Sequence, residues 1–179
     1  MQRLKTRAQF QATMSAGTIA RTPHFALHRM VLTPQPSAEQ VAATASTGPG
    51  SEDPQALFGV GAQRAQAWIG AMVPKRWARR AVTRHAIKRQ ILAVASEHEV
   101  GLACASHVVR LRSAFDRQQF ASATSTALKQ AVRAELQQLF ADALRRIARA
   151  DQASNAAQGI GAKARKAGDP MASAQEGAA

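Results

Sequence analysis

The hydrophobic pattern of residues 1–150 alternates between short strand-like runs and helix-like stripes. Apolar runs rich in strand-forming residues occupy three segments, 24–32, 67–73 and 107–111. Apolar residues at helical spacing mark three others, 6–16, 81–96 and 116–150. The pattern therefore predicts strands and helices within one folded domain that covers residues 1–150.

The first helix carries residues suited to both of its ends. Thr6 can cap its beginning, and Gly17 is placed to end it. Phe10 and Met14 are four residues apart, so they share one face of the helix. The strand that follows stops before the turn signal that begins near Pro34.

Two segments lack any pattern that would build a buried element. Residues 33–66 are dominated by Pro, Gly, Ala, Ser and Thr, and most of their few charges are acidic. We expect a flexible insertion between two strands, which is tolerated because the entropy of loop closure grows slowly with length. Residues 151–179 lack large apolar residues almost entirely, so we expect a disordered tail.

The segment 67–111 has the pattern of a strand, a helix and a second strand. Gly70 in the first strand allows another part of the chain to approach the backbone closely. One face of the helix is apolar, with Ile87, Ile91 and Val94. This order is typical of a crossover between two parallel strands.

Cations are concentrated between residues 75 and 92, and no acidic residue occurs from 54 to 96. The candidate nucleic-acid-binding residues are Lys75, Arg76, Arg79, Arg80, Arg84, His85, Lys88 and Arg89. Helical spacing brings the last four together as one charged arc beside the apolar stripe. An ordinary solvated helix face is the alternative, but such faces normally mix both signs of charge.

Composition favours a nucleic-acid partner. The chain has 179 residues, a formal net charge of +13 and an isoelectric point near 11.6, which favour binding to nucleic acid or, less often, to an anionic membrane surface. It has no uninterrupted apolar run of about 18 residues, so we expect no membrane span. The N-terminus lacks the apolar region of a secretory signal, and Cys104 is a single cysteine. These features fit the reducing cytoplasm.

The sequence offers no catalytic or metal-binding constellation. Its carboxylates are not paired as a two-metal phosphodiesterase requires. The histidines have neither cysteine partners nor zinc-site spacing. We therefore predict no catalytic residue and no metal ligand in this chain.

The apolar strand, the basic pair and the basic helix together resemble the protein subunit of bacterial ribonuclease P. That family carries Ala-Val-x-Arg-Asn-x-x-Lys-Arg-x-x-Arg after a strand and a lysine pair. The matching residues here are Ile69 to Val73, Lys75, Arg76, Ala81, Val82, Arg84, Lys88 and Arg89. Nearer the N-terminus, the spacing also agrees at Arg3, Leu4, Phe10, Gly17 and Phe25.

Two positions of the helix depart from the family pattern. His85 stands where the family usually has Asn, and it can still donate a hydrogen bond to a phosphate or a base. Leu92 stands where the family usually has the last Arg. We expect Leu92 to project into the charged arc and to remove one phosphate contact.

The resemblance implies a fold and a function. The fold is an α+β, single-domain α-β sandwich, with helices on one face of a mixed four-stranded sheet and a left-handed crossover. The function is to bind a catalytic RNA and to assist the endonucleolytic removal of the 5′ leader from precursor transfer RNA. The RNA carries the chemistry of this endoribonuclease through bound Mg²⁺, and no DNA or membrane partner is expected.

The resemblance also implies a cleft for the single-stranded leader between the first helix and the sheet. Phe10, Met14 and His28 occupy its family positions. Aromatic residues are usual at the last two, so leader stacking should weaken unless His28 stacks instead. Phe10 could alternatively be a core residue, and Phe25 is expected in the core.

Other functions remain open on the sequence alone. The same charge would suit a structural ribosomal protein or a general nucleic-acid-binding protein. Attachment to a membrane surface would require an exposed apolar face, whereas we expect the apolar face of the basic helix to be buried.

Overall fold

The structure, a computed structural model, describes residues 1–33, 54–59, 62–116, 120 and 125–165. The chain divides into two units, Met1–Leu144 and Arg145–Ala179. The first unit contains every described strand. The second contains the C-terminal part of the last helix.

Five strands and four α-helices form the described chain. The strands are β1 (Gln2–Arg3), β2 (Thr18–Arg21), β3 (Phe25–Val31), β4 (Ala67–Met72) and β5 (Ala105–Leu111). The helices are α1 (Arg7–Ser15), α2 (Ala62–Ala65), α3 (Ala81–Glu97) and α4 (Thr126–Arg165). Short 3-10 segments lie at Pro54–Phe58 and Glu99–Leu102.

All five strands join one mixed sheet in the order β1-β4-β5-β3-β2. β4 pairs in parallel with β1 and β5, whereas β3 pairs antiparallel with β5 and β2. The α+β class is therefore confirmed, and α3 connects two neighbouring parallel strands as predicted. The sheet has five strands instead of four because Gln2 and Arg3 pair with β4. The left-handedness of the crossover stays a prediction.

One face of the sheet carries the main core. It is formed by β-strand residues such as Phe25, Leu27, Ile69 and Val109, and by apolar residues of α3 and α4. Ile87, Ile91 and Val94 are each at most 1% exposed, which confirms the predicted apolar face of α3. At about 1.5–3 kcal/mol for each fully buried aliphatic side chain, their burial holds the basic helix on the sheet.

The other face of the sheet is covered in part by α1. The Thr13 and Ser106 hydroxyl oxygens lie 2.6 Å apart, and both residues are buried. A Cβ built on Gly70 would lie 2.5 Å from the ring of Phe10, so the close approach predicted at this glycine is confirmed. Because neighbouring strand residues alternate between faces, Ser106 faces α1 whereas His107 faces the main core.

The prediction that all helices lie on one face is therefore wrong for α1. β5 is buried on both faces, with Ser106 and Val108 covered on the α1 side and Val109 and Leu111 on the other, so both faces must be covered. Leu4, Leu32, Phe58 and Val108 form a smaller core on the α1 side, with partly buried apolar residues around it.

Local sequence signals explain the ends of α1. The Thr6 side chain accepts a hydrogen bond from the Gln9 N–H, and the Gln9 side chain accepts one from the Thr6 N–H, forming a capping box. After the helix, Gly17 has φ +111°, a conformation that glycine adopts at little cost. Both predicted ends are confirmed.

Part of the predicted insertion belongs to the folded unit. Phe58 is fully buried, and the Gln9 side chain donates a hydrogen bond to the Leu57 carbonyl at 2.8 Å. Arg64 is 3% exposed and donates to the Gly59 carbonyl at 2.7 Å. The described residues near the C-terminal end of this segment are thus packed into the folded unit, and the flexibility of residues 33–66 stays a prediction. Residues 34–53, 60 and 61 lie outside the described residues.

The last helix differs from its predicted bounds at both ends. It begins at Thr126 and not at Asp116, because the Ser125 hydroxyl accepts a hydrogen bond from the Leu128 N–H at 3.1 Å and caps it. It continues to Arg165 and so includes residues 151–165 of the predicted tail, whose disorder stays a prediction. Alanine is frequent there, and it has the strongest helix propensity. The remainder of the predicted tail, residues 166–179, lies outside the described residues.

Candidate nucleic-acid interface

The first basic region lies on α3, and we call it the α3 surface: Arg84, His85, Lys88 and Arg89. His85, Lys88 and Arg89 are exposed, and Arg84 is half-buried. The fully described α3 has no acidic residue in its first turn and no side-chain cap at Arg80. Its first N–H groups therefore add a positive partial charge to the cations. The α3 surface favours an anionic partner along its length.

The Arg84 side chain makes hydrogen bonds that the sequence did not predict. Its Nη1 donates to the carbonyl oxygens of Ala78 at 3.1 Å and Arg79 at 2.7 Å. These bonds fasten the end of the loop between β4 and α3 to the helix. Arg84 thus positions the loop as well as adding charge.

Leu92 does not stand within the charged arc. It is half-buried and packs against the main core. The expectation that it projects among the cations is wrong. Leu92 lies next to the apolar stripe of α3, and packing its side chain against the core is favourable because it removes apolar surface from water. The α3 surface is therefore continuous without it.

The loop from Lys75 to Arg80 extends the positive charge beyond α3. Lys75, Arg76, Arg79 and Arg80 are all exposed. The guanidinium carbon of Arg76 lies 5.2 Å from the centroid of the Trp77 ring, within the range of a cation–π interaction. The structure thus brings together all eight basic candidates along one loop and the helix that follows it.

A second basic region lies on the α1 side of the sheet. It is a pocket of about 220 Å³, which we call the arginine groove. Its lining residues are Thr18, Arg21, Ala26, His28, Arg76, Arg110 and Arg112. The arginines come from β2, from the loop after β4, and from the end of β5 and the residue after it.

Arg76 connects the two basic regions. It lines the arginine groove, and the loop that carries it continues into α3. The far end of that loop is held by Arg84. The loop between β4 and α3 therefore begins at the arginine groove and ends at the α3 surface.

His28 is the titratable residue that lines the groove. Its Nδ1 lies 3.4 Å from the Thr18 hydroxyl oxygen. Burial, followed by the charges of Arg110 and Arg21, lowers the pKa of His28 below its usual value. The carbonyls of Met14 and Gly17 oppose that shift, because they accept hydrogen bonds from the ring. Unliganded, His28 is therefore held mainly neutral near pH 7.

The three predicted leader-cleft residues lie on the same side of the sheet, but Phe10 and Met14 do not line the arginine groove. Phe10 is half-buried against Gly70, and Met14 is half-buried beside His28. Both pack against the smaller core. Of the three, His28 is the one that lines the arginine groove. Phe25 is fully buried, as expected of a core residue.

Sequence reasoning missed Arg21, Arg110 and Arg112. Each is an isolated cation beside strand residues and so forms no charge run. The available signal was strand alternation, which places Arg110 on the same face as Val108 and Ser106. Their convergence on one pocket depends on the order of the strands.

The described residues contain no group of three or more His, Cys, Asp or Glu side chains that could hold a metal ion. Within the same residues, none of the helices has the length and apolar character needed to cross a membrane. The described side chains therefore offer contacts with an anionic partner and no assembled metal centre.

Comparison with known proteins shows similarity to ribonuclease P proteins. A family model described as Ribonuclease P matches residues 1–148. Proteins named "Ribonuclease P protein component" from Bordetella parapertussis and Bordetella bronchiseptica are each 39% identical over 74 residues. These alignments cover 41% of this chain, which thus spans 56% of the length of each relative.

Solved structures are also similar to this chain, one of them over most of its length. It is described as the Staphylococcus aureus RNase P protein, with a TM-score of 0.48 and 15% sequence identity. The similarity covers 78% of this chain and 93% of that chain.

Proposed function

This chain belongs to the ribonuclease P family, and from that premise we propose that it is the protein subunit of a ribonuclease P. In this role it binds the catalytic RNA and assists the endonucleolytic removal of the 5′ leader from precursor transfer RNA. The observation that carries the proposal is the presence of two connected basic regions with different shapes, the α3 surface and the arginine groove.

The α3 surface is the proposed contact for the catalytic RNA. His85, Lys88 and Arg89 are exposed on one side of a helix whose other side is fixed in the main core. Such a surface matches a folded RNA, whose phosphates lie in regular rows, and binding releases counterions from them. Lys75, Arg79 and Arg80 would extend the contact toward the loop.

The arginine groove is the proposed contact for the leader of the precursor transfer RNA. A concave, positively charged site suits the flexible backbone of a single strand. Phe10 and Met14 lie on the same side of the sheet as the groove, and His28 is part of its lining. An aromatic residue is usual at this position of the family, and the ring of His28 would stack on a base in its place.

Magnesium ions enter this proposal through the RNA. The ions would be held mainly by the catalytic RNA and would supply the hydrolytic chemistry there. The protein's cations neutralise phosphates that Mg²⁺ would otherwise have to screen. The protein should therefore lower the Mg²⁺ concentration that the RNA requires.

Reconstitution with the cognate catalytic RNA tests the proposal. Cleavage of precursor transfer RNA is measured at a Mg²⁺ concentration too low for the RNA alone, with and without the protein. We expect the protein to restore cleavage at the mature 5′ end. Spermidine at equal total charge is the control, since it supplies charge without either surface.

Two outcomes would count against the proposal. Absence of any gain in cleavage would overturn it. An equal gain with spermidine would favour a general nucleic-acid-binding protein.

A further inference from the structure

His28 lies at a position where its charge can respond to a ligand. The groups around it come from every neighbouring element: Arg21 from β2, Arg110 from β5, and the Met14 and Gly17 carbonyls at the end of α1. Thr18 contributes its hydroxyl, while Arg76 and Arg112 complete the groove lining. All the charged side chains in this set are cations. An imidazolium would therefore be repelled from several directions.

We propose that His28 takes up a proton when an RNA phosphate occupies the arginine groove, so that the leader of the precursor binds more tightly as the pH falls. This inference rests on the proposed function, because it assigns the groove to the leader. It adds a proton to the binding reaction and makes His28 the residue that carries it.

The groove explains why the proton should arrive with the phosphate. Without an anion, burial and the charges of Arg110 and Arg21 disfavour the protonated ring. A bound phosphate brings negative charge between the same arginines and can accept a hydrogen bond from an imidazolium. The carbonyls of Met14 and Gly17 already favour the protonated ring. The anion therefore reverses the balance at this one residue.

The sign of the pH dependence follows from linkage. The pKa of His28 is lowered in the free protein and should be higher in the complex, so the complex holds more protons at a pH between the two values. Affinity then rises as the pH falls through that window and levels off below the pKa of the free protein. Each unit of difference between the two pKa values is worth about a tenfold change in affinity.

A binding experiment with the reconstituted holoenzyme tests the proposal. Ca²⁺ replaces Mg²⁺ to slow cleavage, and affinity is measured for precursor transfer RNA and for the same transfer RNA without its leader. The ratio of the two affinities isolates the leader contribution. We expect this ratio to increase about tenfold from pH ~8 to pH ~5.5.

His28→Phe is the matched variant, because it keeps a ring for stacking and cannot titrate. Its leader ratio should be independent of pH. His98→Gln controls for a histidine outside both basic regions, one that stacks on Phe140, and it should keep the pH dependence of the unaltered protein.

The outcomes separate the two hypotheses. A leader ratio above one with the same pH dependence in His28→Phe would overturn the proton uptake and leave the proposed function intact. A leader ratio of one at every pH would overturn both.

A direct titration covers the case in which His28→Phe fails to fold. The ring resonances of isotopically labelled histidine are followed against pH in the full chain, with and without a short single-stranded RNA. The His28 resonance is assigned with His28→Gln. We expect its pKa to rise when the RNA binds, and an unchanged pKa in the RNA complex would contradict the proposal.

Discussion

The two basic regions of this chain are built in opposite ways. The α3 surface comes from one helix, its residues are close together in sequence, and three of the four are exposed on the outer side of that helix. The arginine groove collects Arg21, Arg76, Arg110 and Arg112 from separate parts of the chain around a concave pocket. The first region was predictable from the sequence, whereas the second exists only because the sheet brings distant residues together.

The difference in shape has an electrostatic consequence. Charges on an exposed face are screened by water and salt over roughly 8 Å at physiological ionic strength. Charges around a partly enclosed pocket act on one another more strongly, because the local effective dielectric constant is lower. The lowered pKa of His28 is a sign of this. We therefore expect binding at the α3 surface to depend mainly on total charge, and binding in the groove to depend on individual residues.

The largest expected effect is on binding of the catalytic RNA by the α3 surface. Reversing both Lys88 and Arg89 to Glu replaces two phosphate contacts with repulsion, and it should weaken binding of the catalytic RNA by about a hundredfold or more. Both side chains are exposed, so the fold should be retained. Filter binding measures the affinity, and Lys129→Glu on the exposed side of α4 is the control. Equal losses in both variants would show that the α3 surface has no special role.

The next effect tests how α1 is held on the groove side. In Gly70→Ala, the added Cβ would meet the Phe10 ring and the Leu4 side chain, so we expect a loss of about 1–3 kcal/mol in the free energy of unfolding. Denaturant unfolding measures this loss. Adding Phe10→Leu should recover part of it if the ring causes the strain, and a purely additive double variant would contradict the packing described here.

A smaller effect separates assembly from leader binding. Arg110→Glu places a carboxylate in the arginine groove, and it should reduce the preference for precursor over leaderless transfer RNA by about tenfold. Binding of the catalytic RNA should stay within about twofold of the unaltered protein. Loss of both activities together would show that the two regions are not separable.

The smallest effect concerns His107, which lies on the opposite face of the sheet from the half-buried His28. Burial, then the nearby charge of Arg29, lowers the pKa of His107 to about 3, and its side chain is fully buried on the main-core face. The unfolded chain takes up this proton near pH 6.5 and the folded chain does not, so stability is lost as the pH falls. We expect His107 to lower the unfolding free energy by about 0.7 kcal/mol between pH 7 and pH 6.

His107→Gln removes the titrating group and should make that loss smaller, as measured by urea unfolding at each pH. An undiminished loss would show that other groups account for it. In the titration of His28, the pKa of His107 should remain unchanged on addition of RNA, because no ligand reaches the main-core face.

These regions also show what sequence patterns can and cannot predict. The apolar stripe of Ile87, Ile91 and Val94 and the cap at Thr6 were predictable, because each depends on residues within a few positions of one another. The short strands β1 and β2 were missed, since their two and four residues are too few to show periodicity. The covering of both faces by helices was missed for a related reason, because it depends on how the strands are ordered.

In the candidate site as well, features set by nearby residues were predictable and features set by the fold were not. All cations of the α3 surface were identified from their spacing, although the hydrogen bonds of Arg84 to the preceding loop required the structure. His28 was identified through the family resemblance. Its arginine neighbours were not, because nothing in the sequence indicates that Arg21 and Arg110 lie beside the same histidine.

The central claim is that the two basic regions meet different RNAs, and site-specific crosslinking tests it most directly. Cys104 is the single cysteine of the chain, so a Cys104→Ser background allows a photoreactive probe to be placed at Lys88→Cys or at Arg112→Cys. Lys129→Cys is the control and should give no specific product.

In the reconstituted holoenzyme, the probe at position 88 should crosslink to the catalytic RNA whether or not precursor is present. The probe at position 112 should crosslink to the leader nucleotides of the precursor, and this product should disappear with leaderless transfer RNA. Crosslinks from both positions to the same RNA segment would contradict the account.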